Sequence, residues 1–460
     1  MKMFTVKSEG LAHNSYFLFD GKEAVVIDPR RDCKIYTHLA RKTCTKIRYI
    51  LETHRNEDYV IGSLELQDLT KSEIYHGGQL AFKYGCTVED GEKLKVGSLK
   101  IQVLQTPGHT NESLCYSIVN TEKDKQPTLV FSGDTLFVGS IGRTDLQGKD
   151  AQPKQAEKLY TSLHEKLLPL GDGVMVYPAH GAGSVCGSGI SNQPMTTLGY
   201  ERKTNPYLKM GKEEFVEAAI AQELIVPSYF AKMEEYNQKG APRLLGLPLP
   251  KPFDVAEFGA EATETDSVVV DTRMPYAFAG SHIPNALSFW LGGGTAVYAA
   301  WILGYEQRIL LVTERKEDVM RATKHLWRVG FDNVFSFLCK GMSEWQEQGK
   351  PISHLQTLSA SDLRERLVRY VVLDVREPSE WRQEGTIEGA QKIFFADLVR
   401  QAEGLSRNRR YAVTCSVGNR ASIAASILSR KGFGDVSNVL GGMIAWQSLG
   451  YPTVKPKENG

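Results

Sequence analysis

Three side chains at the ends of separate apolar runs carry the first chemistry in this 460-residue sequence: His54 after IRYILET, His109 after IQVLQTPG and Asp134 after LVFSG. Two imidazoles and one carboxylate form the donor set that holds a mononuclear Fe(II) ion with open positions for oxygen and substrate, so the set points to oxygen chemistry. A fourth run, VMVYPA, ends in His180. Loops at strand ends are where a rigid sheet brings distant residues together. Taken singly, each of these residues is more often a cap or a hydrogen-bonded surface group.

A second candidate lies near the C-terminus, where the apolar run YAVT leads into Cys415-Ser416-Val417-Gly418-Asn419-Arg420 and then a helical stretch from about Ala421. Backbone N–H groups in such a turn, the positive end of the following helix and Arg420 all favour negative charge on the cysteine sulfur, and Gly418 lets the turn close tightly. The plain alternative is a buried strand-end thiol. The full C-x-x-G-x-R spacing argues against it. The seven cysteines are an odd set scattered without C-x-x-C pairs, which argues against a disulfide framework and a structural zinc knuckle.

TPGHT, FSGDT, GRTD (142–145) and YPAHG, in this order, resemble the metallo-β-lactamase superfamily. The superfamily's H-x-H-x-D-H stretch reads His54-Arg55-Asn56-Glu57-Asp58-Tyr59 here. A second metal would keep only Asp58, His180 and a share of Asp134, a poor cage for zinc, so two-metal hydrolysis of the glyoxalase II kind is disfavoured. The persulfide dioxygenases of the superfamily are similar in using one iron at positions matching His54, His109 and Asp134. The resemblance therefore implies one Fe(II) per chain, with zinc as the alternative. Asp58, Tyr59, Asn56, His180 and Arg143 would surround the metal or meet substrate, Asn56 standing where the usual histidine tunes the iron. Arg143 either orients an anionic substrate or pairs with Asp145, the second reading being preferred. Cys186, in HGAGSVCGSG, is either a small buried hydrophobe or a catalytic thiol facing the metal cleft, where it would carry or contact sulfane sulfur.

The elements behind these residues fall into distinct blocks. In residues 1 to about 200, short runs (SYFLF, EAVVID, TLVFS, GVMVYP) alternate with loops and few helices, predicting a strand-rich layered fold. The C-terminal half is a duplication: DSVVVDTRMPYAFAGSHIPNA (266–286) matches RYVVLDVREPSEWRQEGTIEGA (369–390), and WRVGFDNVFSFLCKGMSEW (327–345) matches SRKGFGDVSNVLGGMIAW (429–446). Strands alternating with amphipathic helices predict parallel sheets covered on both faces. Both modules resemble rhodanese domains, in which a cysteine thiolate takes a sulfane sulfur as a persulfide anion and passes it on. In the middle module Thr313 or Glu314 falls at the cysteine position, depending on one gap, and Glu314, Glu317 and Asp318 would repel a persulfide. Cys339 falls in the closing segment, opposite Gly441. The middle module is therefore expected to be silent, packing against or orienting its neighbours.

The expected architecture is α/β: a metallo-β-lactamase αββα sandwich over 1–252, then two rhodanese-like domains with parallel sheets over 253–354 and 355–460, the first cut set by the proline-rich GAPRLLGLPLPKPF. With 55 Lys plus Arg against 54 Asp plus Glu, and no run of one sign, neither a nucleic-acid footprint nor an anionic membrane surface is expected. The start lacks a signal-like apolar region and no stretch approaches the roughly 20 apolar residues of a membrane span, so a cytoplasmic protein is expected. The resemblance implies persulfides of glutathione, coenzyme A or another thiol as substrates, together with O2 and sulfite or thiosulfate, and suggests a homo-oligomer. The rival readings are a zinc thioester hydrolase fused to a sulfurtransferase, and a sulfane-sulfur carrier or sensor without oxygenase activity.

Overall fold

The computed structural model of the chain describes residues 1–222 and 224–455. It divides into two units, Met1–Leu247 with Trp327–Gly330, and Pro248–Leu326 with Phe331–Gly460.

The first unit contains two six-stranded sheets. One runs, in spatial order, Lys2–Lys7, Asn14–Asp20, Glu23–Ile27, Lys46–Leu51, Glu73–Gly77 and Cys86–Val88. The other runs Thr196–Thr197, Met175–Pro178, Leu129–Gly133, Leu114–Asn120, Leu99–Gln105 and Lys93–Val96. Period-2 alternation explains why they pack face to face: Tyr16, Leu18, Val25, Ile27 and Leu51 from the first sheet share a core with Ile101, Val103, Tyr116, Ile118 and Phe131 from the second. The opposite faces are also apolar. Phe17, Val26 and Ile50 are covered by Tyr36 and Leu39 of the helix Lys34–Thr43 and Leu66 of Ser63–Thr70. Val130 and Val176 are covered by Ala156 and Leu159 of Gln152–Thr161. Strands buried on both faces read as near-continuous apolar runs, and here they form the αββα sandwich the sequence predicts.

In the second unit the duplication becomes two five-stranded, all-parallel sheets of the same strand order. One runs Lys251–Phe253, Val334–Leu338, Arg308–Val312, Ser267–Asp271, Leu287–Ser288; the other runs Gln356–Leu358, Val436–Val439, Tyr411–Thr414, Val371–Asp374, Gln391–Lys392. The strand Lys251–Phe253 spans the composition-based cut at 252. The paired Asp-x-Arg sequences do the same work twice. Arg273 clamps Asp271 at 2.6 Å and the Ser281 carbonyl, and Arg376 clamps Asp374 at 2.8 Å and the Gly385 carbonyl. These buried charges are paired and bidentate, so in each module the strand that ends in the aspartate is locked to the loop beyond the helix that follows it.

Sheet register settles two alignments. Asp271 pairs with Val312 as Asp374 pairs with Thr414, so Thr313, not Glu314, stands at the position of Cys415. Phe253 pairs with Leu338 as Leu358 pairs with Val439, so Cys339 corresponds to Leu440 and not to Gly441. The helix Asn419–Arg430 is buried at every residue from Ala421 to Leu428. An all-round buried helix needs cover on two sides. The middle module supplies part of it, with the Ser288 hydroxyl 2.9 Å from that of Ser422 and the Ser288 N–H on the Ser426 hydroxyl at 3.2 Å.

Candidate metal centre and sulfur loop

His54, His109, Asp134 and His180 each follow the C-terminal end of a strand, and the sandwich brings all four to one edge. Asp134 Oδ2 lies 3.7 Å from His54 Nε2 and 3.6 Å from His109 Nε2, with all three side chains essentially buried. Neither Nε2 atom has a hydrogen-bond partner. Donor atoms that crowd together without bonding one another converge on a common point, which is how a metal site is built.

The rings are aimed from behind. His54 Nδ1 lies 2.9 Å from the Thr53 hydroxyl, which is itself held by Asp28 at 2.8 Å, and His109 Nδ1 lies 2.9 Å from the Arg143 carbonyl. Each contact fixes the ring so that the Nε2 lone pair faces the centre. His180 Nδ1 bonds Asp134 at 2.7 Å and orients that carboxylate.

The remaining predicted residues take different places. Asn56 turns to its own loop, donating to the His54 carbonyl at 3.2 Å. The Tyr59 ring stacks on His13 with centroids 3.9 Å apart, filling buried space beside His180. Asp58 lies 3.0 Å from His180 Nε2. The Cys186 sulfur lies within 4.8 Å of donor atoms of both residues, so a second cation would meet a sulfur donor as well, which the sequence reading of that site omitted. Burial and the neighbouring Asp58, Glu57 and Asp134 push the Cys186 thiol well up, against a free-standing thiolate nucleophile. Arg143 is engaged by Asp145 through two bonds of 2.7 Å, with the Val185 carbonyl at 3.0 Å.

Two residues were not legible in the motif. Glu57 is fully buried, with Oε1 3.2 Å from His109 Nε2 and Oε2 3.9 Å from His54 Nε2. Asn237, from the helix Phe230–Lys239, holds the motif loop by donating to the Asn56 and Tyr59 carbonyls at 2.6 and 2.7 Å and accepting from the Ile61 N–H at 2.9 Å. Its signal was periodicity: Phe230, Met233 and Asn237 share one buried helix face.

Electrostatics show protons standing where a cation fits. Burial would lower His109, but the Glu57 and Asp134 carboxylates hold it up at about 9. Burial likewise opposes charge on His180, and Asp134 and Asp58 outweigh it. Burial takes His54 down to about 4. A buried cluster of neutral and cationic imidazoles around carboxylates matches the donor chemistry of a divalent metal, which enters as those protons leave.

Gly142 shows how tightly the edge is built, because a Cβ there would lie 1.9 Å from the Asp134 carbonyl oxygen and 3.2 Å from His109 Nδ1. Gly142→Ala is expected to cost about 1–3 kcal/mol, the usual penalty for overpacking, and to weaken metal retention. Thermal melting and metal content of the purified variant check it.

In the last module, Cys415 is buried and its Sγ accepts the Gly418 N–H at 3.1 Å. Gly418 has φ +106°, a conformation that favours glycine, and it caps the twelve-residue helix Asn419–Arg430. Arg420 is not free above the sulfur. Its guanidinium is shared between both oxygens of Glu380, at 2.5 and 2.7 Å, and the Ser416 hydroxyl at 2.7 Å. Glu380, which the loop motif does not contain, therefore sets where that charge lies. Tyr298 of the middle module packs edge-on to Phe395 at 5.2 Å, and burial raises its hydroxyl while Arg420 draws it down.

The metallo-beta-lactamase superfamily matches residues 9–180, and the rhodanese-like domain matches 254–348 and 359–449. The persulfide dioxygenase ETHE1, mitochondrial, of Bos taurus is 31% identical over 214 residues, covering 44% of this chain and 74% of that protein. The hydroxyacylglutathione hydrolase of Dictyostelium discoideum is 32% identical over 171 residues, 36% of this chain and 61% of its own length. The crystal structure of a metallo-beta-lactamase from Staphylococcus aureus subsp. aureus COL superposes with a TM-score of 0.66 at 28% identity, over 73% of this chain and 98% of that one. Among the described residues no helix is long and apolar enough to cross a membrane.

Proposed function

Because this chain belongs to the metallo-β-lactamase superfamily and continues into two rhodanese-like domains, we propose that it oxidises low-molecular-weight persulfides with O2 and exchanges the sulfane sulfur through Cys415. The observation that carries the reading is the meeting of His54 Nε2, His109 Nε2 and Asp134 Oδ2, together with a tyrosine where the second metal's imidazole would stand. Fe(II) held by these three donors would supply the site for oxygen activation.

The balance is simple: one persulfide RSSH, one O2 and one water give one thiol RSH and one sulfurous acid, which ionises to sulfite. The terminal sulfur gives up four electrons to O2. Here His180 keeps Asp134 oriented, Thr53 and the Arg143 carbonyl keep both imidazoles aimed, and Tyr59 and His13 exclude water from one wall. At the far module, the outer sulfur of a Cys415 persulfide passes to sulfite to give thiosulfate. The electron pair of the broken S–S bond returns to Cys415 as thiolate, and the reverse direction uses the same atoms. The middle module, lacking the thiol, backs the helix that starts at Asn419.

A zinc thioester hydrolase is the second reading, favoured by the Asp58, His180 and Cys186 donors. One experiment separates the two. Iron-loaded protein given glutathione persulfide in an oxygen electrode is expected to consume O2 and form sulfite and thiosulfate. Stoichiometric zinc with thioester cleavage and no oxygen uptake would sink the dioxygenase.

A further inference from the structure

We propose that Glu57 is a fourth protein ligand of the metal, making the centre a two-histidine, two-carboxylate site. The inference rests on the mononuclear-iron reading and adds to it a residue that the H-x-H-x-D-H pattern leaves variable.

Glu57 is fully buried, and neither carboxylate oxygen has a hydrogen-bond partner. A carboxylate stripped of water and left without donors is expensive, and buried charges are retained where they are paired or coordinate a metal. It faces the two nitrogens that also face Asp134, with the Cys186 sulfur within 4.8 Å. Glu57 Oε1 is 3.2 Å from His109 Nε2 and Oε2 is 3.9 Å from His54 Nε2, while Asp134 Oδ2 is 3.6 and 3.7 Å from the same two atoms. Two carboxylates therefore flank the imidazole pair. The nearby arginines are engaged elsewhere, Arg55 by Glu234 at 2.8 Å and Arg143 by Asp145.

The placement is built into the loop. His54 and Glu57 are three residues apart in the stretch 54–59, and Asn237 clamps the backbone at 56 and 59, on both sides of Glu57. Where Asn56 replaces the usual histidine, a carboxylate thus stands one residue on. Two carboxylates would also match the charge of a divalent cation at this buried site. Four protein donors would leave fewer open positions at the metal for substrate and oxygen than three would.

The test compares full-length wild type with Glu57→Gln and Glu57→Ala, each loaded anaerobically with Fe(II) or with Co(II). Iron affinity from chelator competition should fall at least roughly 10–100-fold in both variants, the loss typical even of residues that only support a ligand. The electron-paramagnetic-resonance signal of the nitric-oxide adduct and the visible spectrum of the cobalt protein should both change. Sulfurtransfer at Cys415 should hold, and an unchanged circular-dichroism spectrum and thermal melt should show that the metal-site domain is folded. Unchanged affinity and unchanged spectra in both variants would overturn the proposal. A wild type that refuses iron but shows a cobalt spectrum sensitive to Glu57 would sink the dioxygenase reading while keeping the ligand assignment.

Discussion

His109→Ala is expected to abolish oxygen uptake with glutathione persulfide and to bring bound iron from about one per chain to near zero. The substitution removes one of two nitrogen donors from a site whose Nε2 atom lies 3.6 Å from Asp134 and 3.2 Å from Glu57. Water cannot take the place of the lost imidazole without the carboxylates moving, and without the metal they would repel each other in this buried site. The loss should therefore exceed the roughly 10–100-fold cost of removing a supporting residue. Metal analysis and an oxygen electrode read it together. Sulfurtransfer should continue, because Cys415 belongs to a separate sheet. Uptake that survives with iron still bound would mean that His109 is not a ligand and that the oxygen chemistry lies elsewhere.

The three strand-end side chains that this experiment probes could be found in the sequence because each closes an apolar run, and a strand's period fixes both where the run ends and which face it buries. The duplicated modules were readable for the same reason, though the Arg–Asp clamps inside them were not. What escaped were residues whose role depends on distant chain. In HRNEDY, Glu57 reads as one acid in a polar loop; its burial is decided by Asn237, which sits 181 residues beyond Asn56 and bonds its carbonyl. Glu380 precedes Arg420 by forty residues and reads as a helix-start acid, which it also is, since it closes a capping box with Glu377. The gap between Thr313 and Glu314 could be settled only by pairing the strand Arg308–Val312 with Ser267–Asp271. Residues at strand ends are local facts, whereas loop burial and register are long-range ones.

Cys415→Ser should end sulfurtransferase activity outright while leaving oxygen uptake largely intact, and the product should shift from thiosulfate to sulfite. The serine hydroxyl can still accept the Gly418 N–H that now reaches Sγ at 3.1 Å, so the loop and the helix Asn419–Arg430 should keep their geometry. What serine cannot do is form a persulfide, because an alkoxide is neither accessible at neutral pH nor able to hold sulfane sulfur through a stable bond. The N–H groups, helix dipole and Arg420–Glu380 pair would then surround an inert hydroxyl. Thiosulfate with cyanide should yield no thiocyanate, and mass spectrometry after persulfide treatment should find the added sulfur in wild type and not in the variant. If thiosulfate still forms enzymatically, the carrier must be another thiol. Cys186, within 4.8 Å of donor atoms of Glu57 and Asp134, would be the one to replace next.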